Sequence, residues 1–246
     1  MVGNVVLAFE PFEPLSSLSA PFLGVPLTFI FSQRQAAFLF WLRPEAKEIM
    51  LPLLYGNNIY TFIFWGTFAV WAVPEWIGTL TQRSKSNMRA YDRGSYAVLM
   101  LGLFGGLALG FWLPLWAPGA SLTWHRTLIF ALGIALMLLG TTFRWYAIRV
   151  LGEYFTREVA VHPGQQVVQT GPYRYIRHPA YSRTLLTMLG LGLTMTNWAS
   201  LLAIMACTLL GHSYRVAVEE RALSEKIGLP YVEYMRHTRR FIPFVF

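Results

Sequence analysis

Tyr181-Ser-Arg-Thr-Leu-Leu-Thr-Met-Leu-Gly-Leu-Gly-Leu-Thr-Met195 and Trp198-Ala-Ser-Leu-Leu-Ala-Ile-Met-Ala-Cys-Thr-Leu-Leu-Gly-His-Ser-Tyr214 are two apolar runs separated only by Thr196 and Asn197. At 1.5 Å per residue, each is short for a hydrocarbon core of about 30 Å. They read as a tight helical hairpin whose two ends lie on one side. Those ends carry Arg177-His178-Pro179-Ala180-Tyr181 on entry and Arg215-Val-Ala-Val-Glu219-Glu220 on exit.

The rest of the chain fits that frame. It has 246 residues, 55% hydrophobic and 13% charged, with a mean hydropathy of +0.44. An ordinary soluble domain is about 25% charged, so this is the composition of a membrane protein. Ile59 to Leu80, Ser95 to Ala117 and Trp124 to Arg149 are further apolar stretches of spanning length. With the hairpin they predict an all-α polytopic protein of about five transmembrane helices, the last two forming the hairpin.

Three regions follow: an interfacial or re-entrant segment over 1–58, broken by six prolines and by Gln33-Arg34-Gln35; three transmembrane helices over 59–150; and a region over 151–246 with a cytoplasmic loop, the hairpin and a polar amphipathic tail from Arg215. The link Thr81 to Gly94 holds Arg83, Lys85, Arg89 and Arg93 against Asp92, which assigns it to the cytoplasm. Pro118 to Thr123 and the Thr196-Asn197 turn carry no basic residue and fit the outer side. The hairpin mouth, the loop before it and the C-terminus are then cytoplasmic.

Several function classes fall away. The net charge of +8 sits beside apolar segments, where it sets topology and touches anionic lipid, so nucleic acid is not an expected partner. A single cysteine, Cys207, excludes a disulfide within the chain and a cysteine-based zinc site, and no metal cluster is expected. No Lys or Arg precedes the first apolar residues, and Glu10 and Glu13 come early, so a cleaved signal peptide is not expected. Gly102, Gly105, Gly106 and Gly110 follow no strand; they read as small residues for close helix contact rather than as a dinucleotide loop. Glu75, near the end of its span, reads as a solvated boundary carboxylate. His125 and His162 read as surface histidines, and His237 with Arg236, Arg239 and Arg240 as a lipid-facing basic face.

At the hairpin mouth, Pro179 keeps His178 out of α geometry and suits the first helical turn, which holds Arg177 and His178 just before a helix N-terminus. Arg177 adds a fork of donors suited to a carboxylate or phosphate. On the exit helix His212, Arg215 and Glu219 share one stripe. Arg215 and Glu219 are spaced either for a structural ion pair or for a site. The adjacent Glu219 and Glu220 repel unless cations attend them, and a cationic ligand would serve. Residue chemistry alone yields a site for an anion and a cation, and no reaction.

The run Gly171-Pro-Tyr-Arg-Tyr-Ile-Arg-His-Pro-Ala-Tyr181 is preceded by Gly152-Glu-Tyr-Phe-Thr and Gln165-Gln-Val-Val168. Glu219-Glu220 and Gly228-Leu-Pro-Tyr-Val-Glu-Tyr234 follow it. This pattern, over roughly Leu151 to Pro243, resembles the isoprenylcysteine carboxyl methyltransferase family, to which the phospholipid N-methyltransferases are related. The resemblance implies an integral membrane methyltransferase with a cytoplasmic S-adenosylmethionine pocket and a lipophilic or lipidated acceptor, such as the carboxylate of an isoprenylcysteine. A lipid amine is the alternative acceptor; a more distant alternative is an NADPH-dependent membrane steroid or isoprenoid reductase.

Carried over by the resemblance, Val167, Val168, Gly171, Pro172 and Tyr173 line the cofactor, and His178 and Tyr181 contact it. Glu219 and Glu220 hold its charged groups and count with Arg177 as catalytic. Arg177, Arg183 and Arg215 serve the acceptor. Arg183 departs from the family pattern, where a small or apolar residue is more usual; it would snorkel to the interface or grip an anionic head group.

Overall fold

The computed structural model describes residues 52–81, 94–152 and 167–241, all within one compact unit, Trp41–Phe246. The readings made above for 1–51, for most of the link after Leu80, for His162 and for much of the loop after Leu151 lie outside the described residues. After a one-turn helix at Leu53–Gly56 come α1 (Asn58–Thr81), α2 (Ser95–Trp116), α3 (Arg126–Leu151), α4 (Pro179–Thr194), α5 (Trp198–Ile227) and α6 (Leu229–His237). Among the described residues there is no strand, only two isolated bridges.

Three of these helices, α2, α3 and α5, are long and apolar enough to cross a membrane. Their outward faces carry large apolar side chains, among them Leu101, Phe104 and Trp112 of α2, Leu128 and Leu132 of α3, and Leu202 and Leu210 of α5. Such a surface suits lipid rather than water. The helix α1 has 24 residues but is rich in aromatics, and α4 has only 16.

Two antiparallel glycine-lined pairs form the frame. On α2, a Cβ added at Gly102 would lie 2.6 Å from the carbonyl oxygen of Cys207, and one at Gly110 would lie 2.4 Å from the side chain of Ile204. The positions expected for close helix contact are thus the contacts to α5, except Gly105, which faces open space. On the other side Gly133 and Gly140 of α3 face Gly190, Thr187 and Thr194 of α4 at similarly short range. Without side chains at these points the backbones approach closely and dispersion contacts accumulate, which is how helices associate in lipid.

The α4–α5 turn joins the pairs. Asn197 caps α5 by accepting from the Ser200 amide and donates through Nδ2 to the Ala117 carbonyl, 3.0 Å away, while the Leu122 amide donates to the Thr196 carbonyl. The hairpin tip therefore sits on the α2–α3 connection. At that same end α1 is held by an aromatic cluster of Phe64, Phe68, Trp71 and Phe111, and by the Tyr55 hydroxyl donating to the Phe111 carbonyl.

At the opposite end, Glu75 of α1 lies 2.7 Å from Arg144 of α3 and 2.8 Å from Arg183 of α4, both pairs sharing Oε1. This corrects two expectations. Glu75 is not a solvated boundary carboxylate, and Arg183 is buried in the bundle rather than reaching the interface. The physical reason is mutual: each charge is retained in an apolar setting because the others attend it.

The exit helix carries Arg215 and Glu219 as expected and continues to Ile227, so α5 has 30 residues and is about 45 Å long. It therefore outruns a hydrocarbon core of about 30 Å, and Glu219 and Glu220 lie some 32 Å from its start.

Gly190→Ala would place Cβ 2.5 Å from the Gly133 carbonyl oxygen, where only backbone can yield. It is expected to cost about 1–3 kcal/mol, measured as detergent-solubilised thermal unfolding, whereas Gly105→Ala costs nothing measurable. Glu75→Gln leaves Arg144 and Arg183 without their shared carboxylate and is expected to cost about 3–5 kcal/mol in the same assay.

Candidate active site

The site is assembled by the entry to α4, the far end of α5 and the chain after α6. His178 leaves extended geometry at φ −123°, ψ 59°, and Pro179 opens α4 as its first residue. Residues 239–241 run beside this entry. Arg177 and His178 donate their backbone amides to the carbonyls of Arg239 (2.7 Å) and Arg240 (3.1 Å), and the Arg239 amide donates to the Tyr175 carbonyl (3.0 Å). These bonds form a parallel clasp, with Ile176 bridged to Arg239. The Ser182 hydroxyl adds a bond to the Phe241 carbonyl, and the Tyr234 hydroxyl donates to the Tyr173 carbonyl at 2.6 Å.

Glu220 sits at the centre of the charges. Its Oε1 accepts from Arg177 Nε at 2.9 Å and faces His178 Nε2 at 3.3 Å; its Oε2 accepts from Arg240 Nη2 at 2.8 Å. Arg177 also donates through Nη1 to the carbonyls of Met235 and Thr238. Glu220 thus ties α5, the α4 entry and the tail with nearly every lone pair used.

Glu219 is different. Its Oε2 accepts from the Tyr181 hydroxyl at 2.8 Å and lies 3.8 Å from His178 Nδ1, while its side chain remains 29% exposed. Its other oxygen has no protein partner among the described residues. Tyr181 in turn accepts from Arg215 Nε at 3.4 Å, and Arg215 Nη1 donates to Ser95 of α2 at 2.7 Å. The His178 and Tyr181 rings stack at 5.5 Å, and Tyr181 meets His212 edge to face at 5.3 Å.

Three further tyrosines surround the acids. Burial, and then the nearby Glu219 carboxylate, push the Tyr173 and Tyr231 hydroxyls far above their ordinary range. Burial pushes Tyr234 up to about 12, against the opposing pull of Arg177. All three stay neutral hydrogen-bond donors at any working pH. Hydrogen bonding to Glu220 and its charge raise Arg240 above the usual guanidinium range, so that pair persists as an ion pair.

Of the residues singled out in the sequence, Arg177, His178, Tyr181, Arg215, Glu219 and Glu220 meet in one network. Tyr173 borders it, and Gly171 and Pro172 lie on the 3₁₀ turn leading to it. Val167 and Val168 are half-buried, with no described contact to the acids. Arg183 belongs to the Glu75 cluster instead. Arg240 had been grouped with a lipid-facing basic face, and the structure turns its guanidinium onto Glu220. Sequence reasoning passed over Ser95 and Thr238, and had Tyr231 and Tyr234 only as part of the Gly228-Leu-Pro-Tyr-Val-Glu-Tyr234 pattern, with no role at the site. The signals for the tail were that pattern and the demand for cations by two adjacent carboxylates.

The donor set suits a cationic ligand with aromatic and carboxylate portions: a half-open carboxylate at Glu219, the stacked His178 and Tyr181 rings, and neutral tyrosine hydroxyls around them. S-adenosylmethionine has that character, and the residues present fit it.

The chain is similar to known proteins. Protein-S-isoprenylcysteine O-methyltransferase B of Arabidopsis thaliana is 29% identical over 130 residues, covering 52% of this chain and 64% of that protein. Protein-S-isoprenylcysteine O-methyltransferase of Saccharomyces cerevisiae is 31% identical over 116 residues, 46% of this chain and 48% of that one. The chain thus spans between about half and just under two thirds of the length of these relatives. The solved structure of the eukaryotic intramembrane Ras methyltransferase ICMT matches with a TM-score of 0.53 at 19% identity, covering 89% of this chain and 85% of that one, a likeness of fold. Residues 132–225, which run from α3 through the α4 entry to both acids, match the model of the isoprenylcysteine carboxyl methyltransferase (ICMT) family.

Proposed function

We propose that this chain is an integral membrane methyltransferase that uses S-adenosylmethionine and methylates the carboxylate of a lipophilic acceptor such as an isoprenylcysteine. The observation that carries the reading is the convergence of Arg177, His178 and Tyr181 with Glu219 and Glu220 inside the family-matched segment. About five spans, with the site facing the cytoplasm, complete it: the site end of the bundle carries the basic residues, and the α2–α3 connection at the other end lacks them until Arg126.

S-adenosylmethionine, when bound, supplies an electrophilic methyl on a sulfonium. Glu219 offers a carboxylate to its cationic part, while His178 and Tyr181 present ring faces and the chain over Val167, Val168, Gly171, Pro172 and Tyr173 lines the approach. Glu220 acts on the cofactor side by fixing Arg177 and His178, since its oxygens are committed to them and to Arg240. Arg177 keeps Nη2 for an acceptor carboxylate, with no partner for it among the described residues. Arg215 holds the Tyr181 hydroxyl from behind, and Arg183 stiffens the α4 side through Glu75. A carboxylate acceptor needs no base; positioning and exclusion of water suffice.

Calorimetry on the purified protein is expected to show binding of S-adenosylmethionine, with no binding of NADPH; Glu219→Gln weakens it at least about tenfold, in line with loss of a charge-assisted contact. No binding in the parent protein would sink this reading. Transfer of labelled methyl into membrane extract should give a base-labile ester, and a base-stable product would assign an amine acceptor instead.

Arg240→Ala removes the bidentate partner of Glu220 and leaves the backbone clasp to hold the tail. The expected result is a several-fold fall in kcat with folding intact by thermal unfolding, and faster proteolysis after Thr238. A variant equal to the parent in both rate and proteolysis would remove the Arg240–Glu220 pair from the mechanism.

A further inference from the structure

Ser95 opens α2 and is fully buried, although it lies outside the 132–225 segment that matches the family. It does not cap its own helix: Gly94, at φ 73°, holds that position. The α2–α5 contact brings it to the site. A Cβ at Gly102 would meet the Cys207 carbonyl, and one at Gly211 would lie 3.3 Å from the Val98 carbonyl oxygen, so the two antiparallel helices stay in register up to the first turn of α2. One turn beyond Gly211 stands Arg215, 2% exposed, whose Nη1 donates to the Ser95 hydroxyl oxygen at 2.7 Å.

That bond sets the direction of those beyond it. A guanidinium only donates, so Ser95 and Tyr181 both accept from Arg215. The group is planar and rigid, and holding Nη1 aims Nε, which lies 3.4 Å from the Tyr181 hydroxyl oxygen. With a lone pair so engaged, Tyr181 turns its single hydrogen to Glu219 Oε2 at 2.8 Å. The Arg215–Glu219 spacing on α5 thus resolves into a relay through a tyrosine of α4. Its Arg215–Tyr181 step is the longest, and therefore the one most sensitive to where the guanidinium points.

We propose that Ser95 is a positioning residue of the methyl-donor site: by holding Arg215 it keeps the Tyr181 hydrogen on one oxygen of Glu219 and leaves the other oxygen turned to the cationic ligand. Through this serine α2 becomes part of the site, from outside the family-matched segment. The inference rests on the methyltransferase reading and adds to it a residue that touches neither cofactor nor acceptor.

The test uses the full chain in lipid nanodiscs and a double-mutant cycle read by calorimetric binding of S-adenosylmethionine. Ser95→Ala is expected to weaken binding about five- to tenfold, the worth of one buried hydrogen bond to a charged group. Tyr181→Phe weakens it too, and Ser95→Ala added to Tyr181→Phe weakens it no further, because the hydrogen being aimed is gone. In labelled methyl transfer to an S-prenylcysteine, Ser95→Ala raises KM for S-adenosylmethionine and leaves KM for the acceptor at the parent's value. A serine that served only to pack α2 against α5 would move both.

A Ser95→Ala variant with the parent's affinity overturns the assignment, as does a loss that multiplies in full with that of Tyr181→Phe. Should Ser95→Ala not fold, Ser95→Cys, close in volume and a poor acceptor, is read in the same two backgrounds. A parent that binds no S-adenosylmethionine overturns the methyltransferase reading along with this one, whereas a parent that binds it and is indifferent to Ser95 overturns the positioning role alone.

Discussion

The carboxylate of Glu220 is the point on which the rest of the site depends. A charge at the end of a membrane helix is tolerated when opposite charges and donors surround it, and here Arg177, His178 and Arg240 come from two separate stretches of chain to do so. Each of those partners is fixed in turn. Arg177 is held by the carbonyls at the end of α6, and Arg240 lies in a backbone clasp with the α4 entry. The network is circular: remove the acid and three cationic or titratable groups lose their reason to converge.

That arrangement needs a rigid frame, which the glycines supply. Close approach of α2 to α5 and of α3 to α4 fixes the register of each pair, because a one-residue slide would drive side chains into backbone. The hairpin turn, braced by Asn197 against Ala117, then sets the height of α4 against α5. Tyr181 and Glu219 reach each other at 2.8 Å because those two constraints agree. At the site end, Glu75 fastens α1 to the α3–α4 pair with charge where the tip end uses aromatic packing.

Much of this was legible in the sequence. Two short apolar runs with a two-residue link could only be a hairpin, and the placement of Arg177, His178, Glu219 and Glu220 at its mouth followed from counting. Stripes such as Gly102, Gly106 and Gly110 announced close contact, although spacing alone could not show that Gly105 faces away. What was illegible is what depends on partners distant in the chain. Arg183 reads as a surface cation until Glu75 and Arg144 are seen around it, some hundred residues and forty residues away. The helical stripe His212, Arg215, Glu219 could be counted on α5 beyond Tyr214, but the partners of its charges appear only in three dimensions. Arg240 looks like one more lipid-facing arginine for the same reason.

The two adjacent acids, alike in sequence, are made unlike by the fold. Neighbours on a helix point about 100° apart, so Glu220 turns into the clasp and Glu219 toward Tyr181 and solvent. Glu220 meets three cationic or titratable side chains and is 8% exposed; Glu219 meets one hydroxyl at hydrogen-bonding distance and is 29% exposed. An acid already neutralised by the protein has little attraction left for a ligand, whereas one whose partners are neutral tyrosines keeps its field. Burial keeps Tyr173, Tyr231 and Tyr234 protonated, so these three hydroxyls add no negative charge beside Glu219. Two acids adjacent in sequence are thereby given unlike surroundings, and the difference follows from helix geometry and from which neighbour meets the arginines.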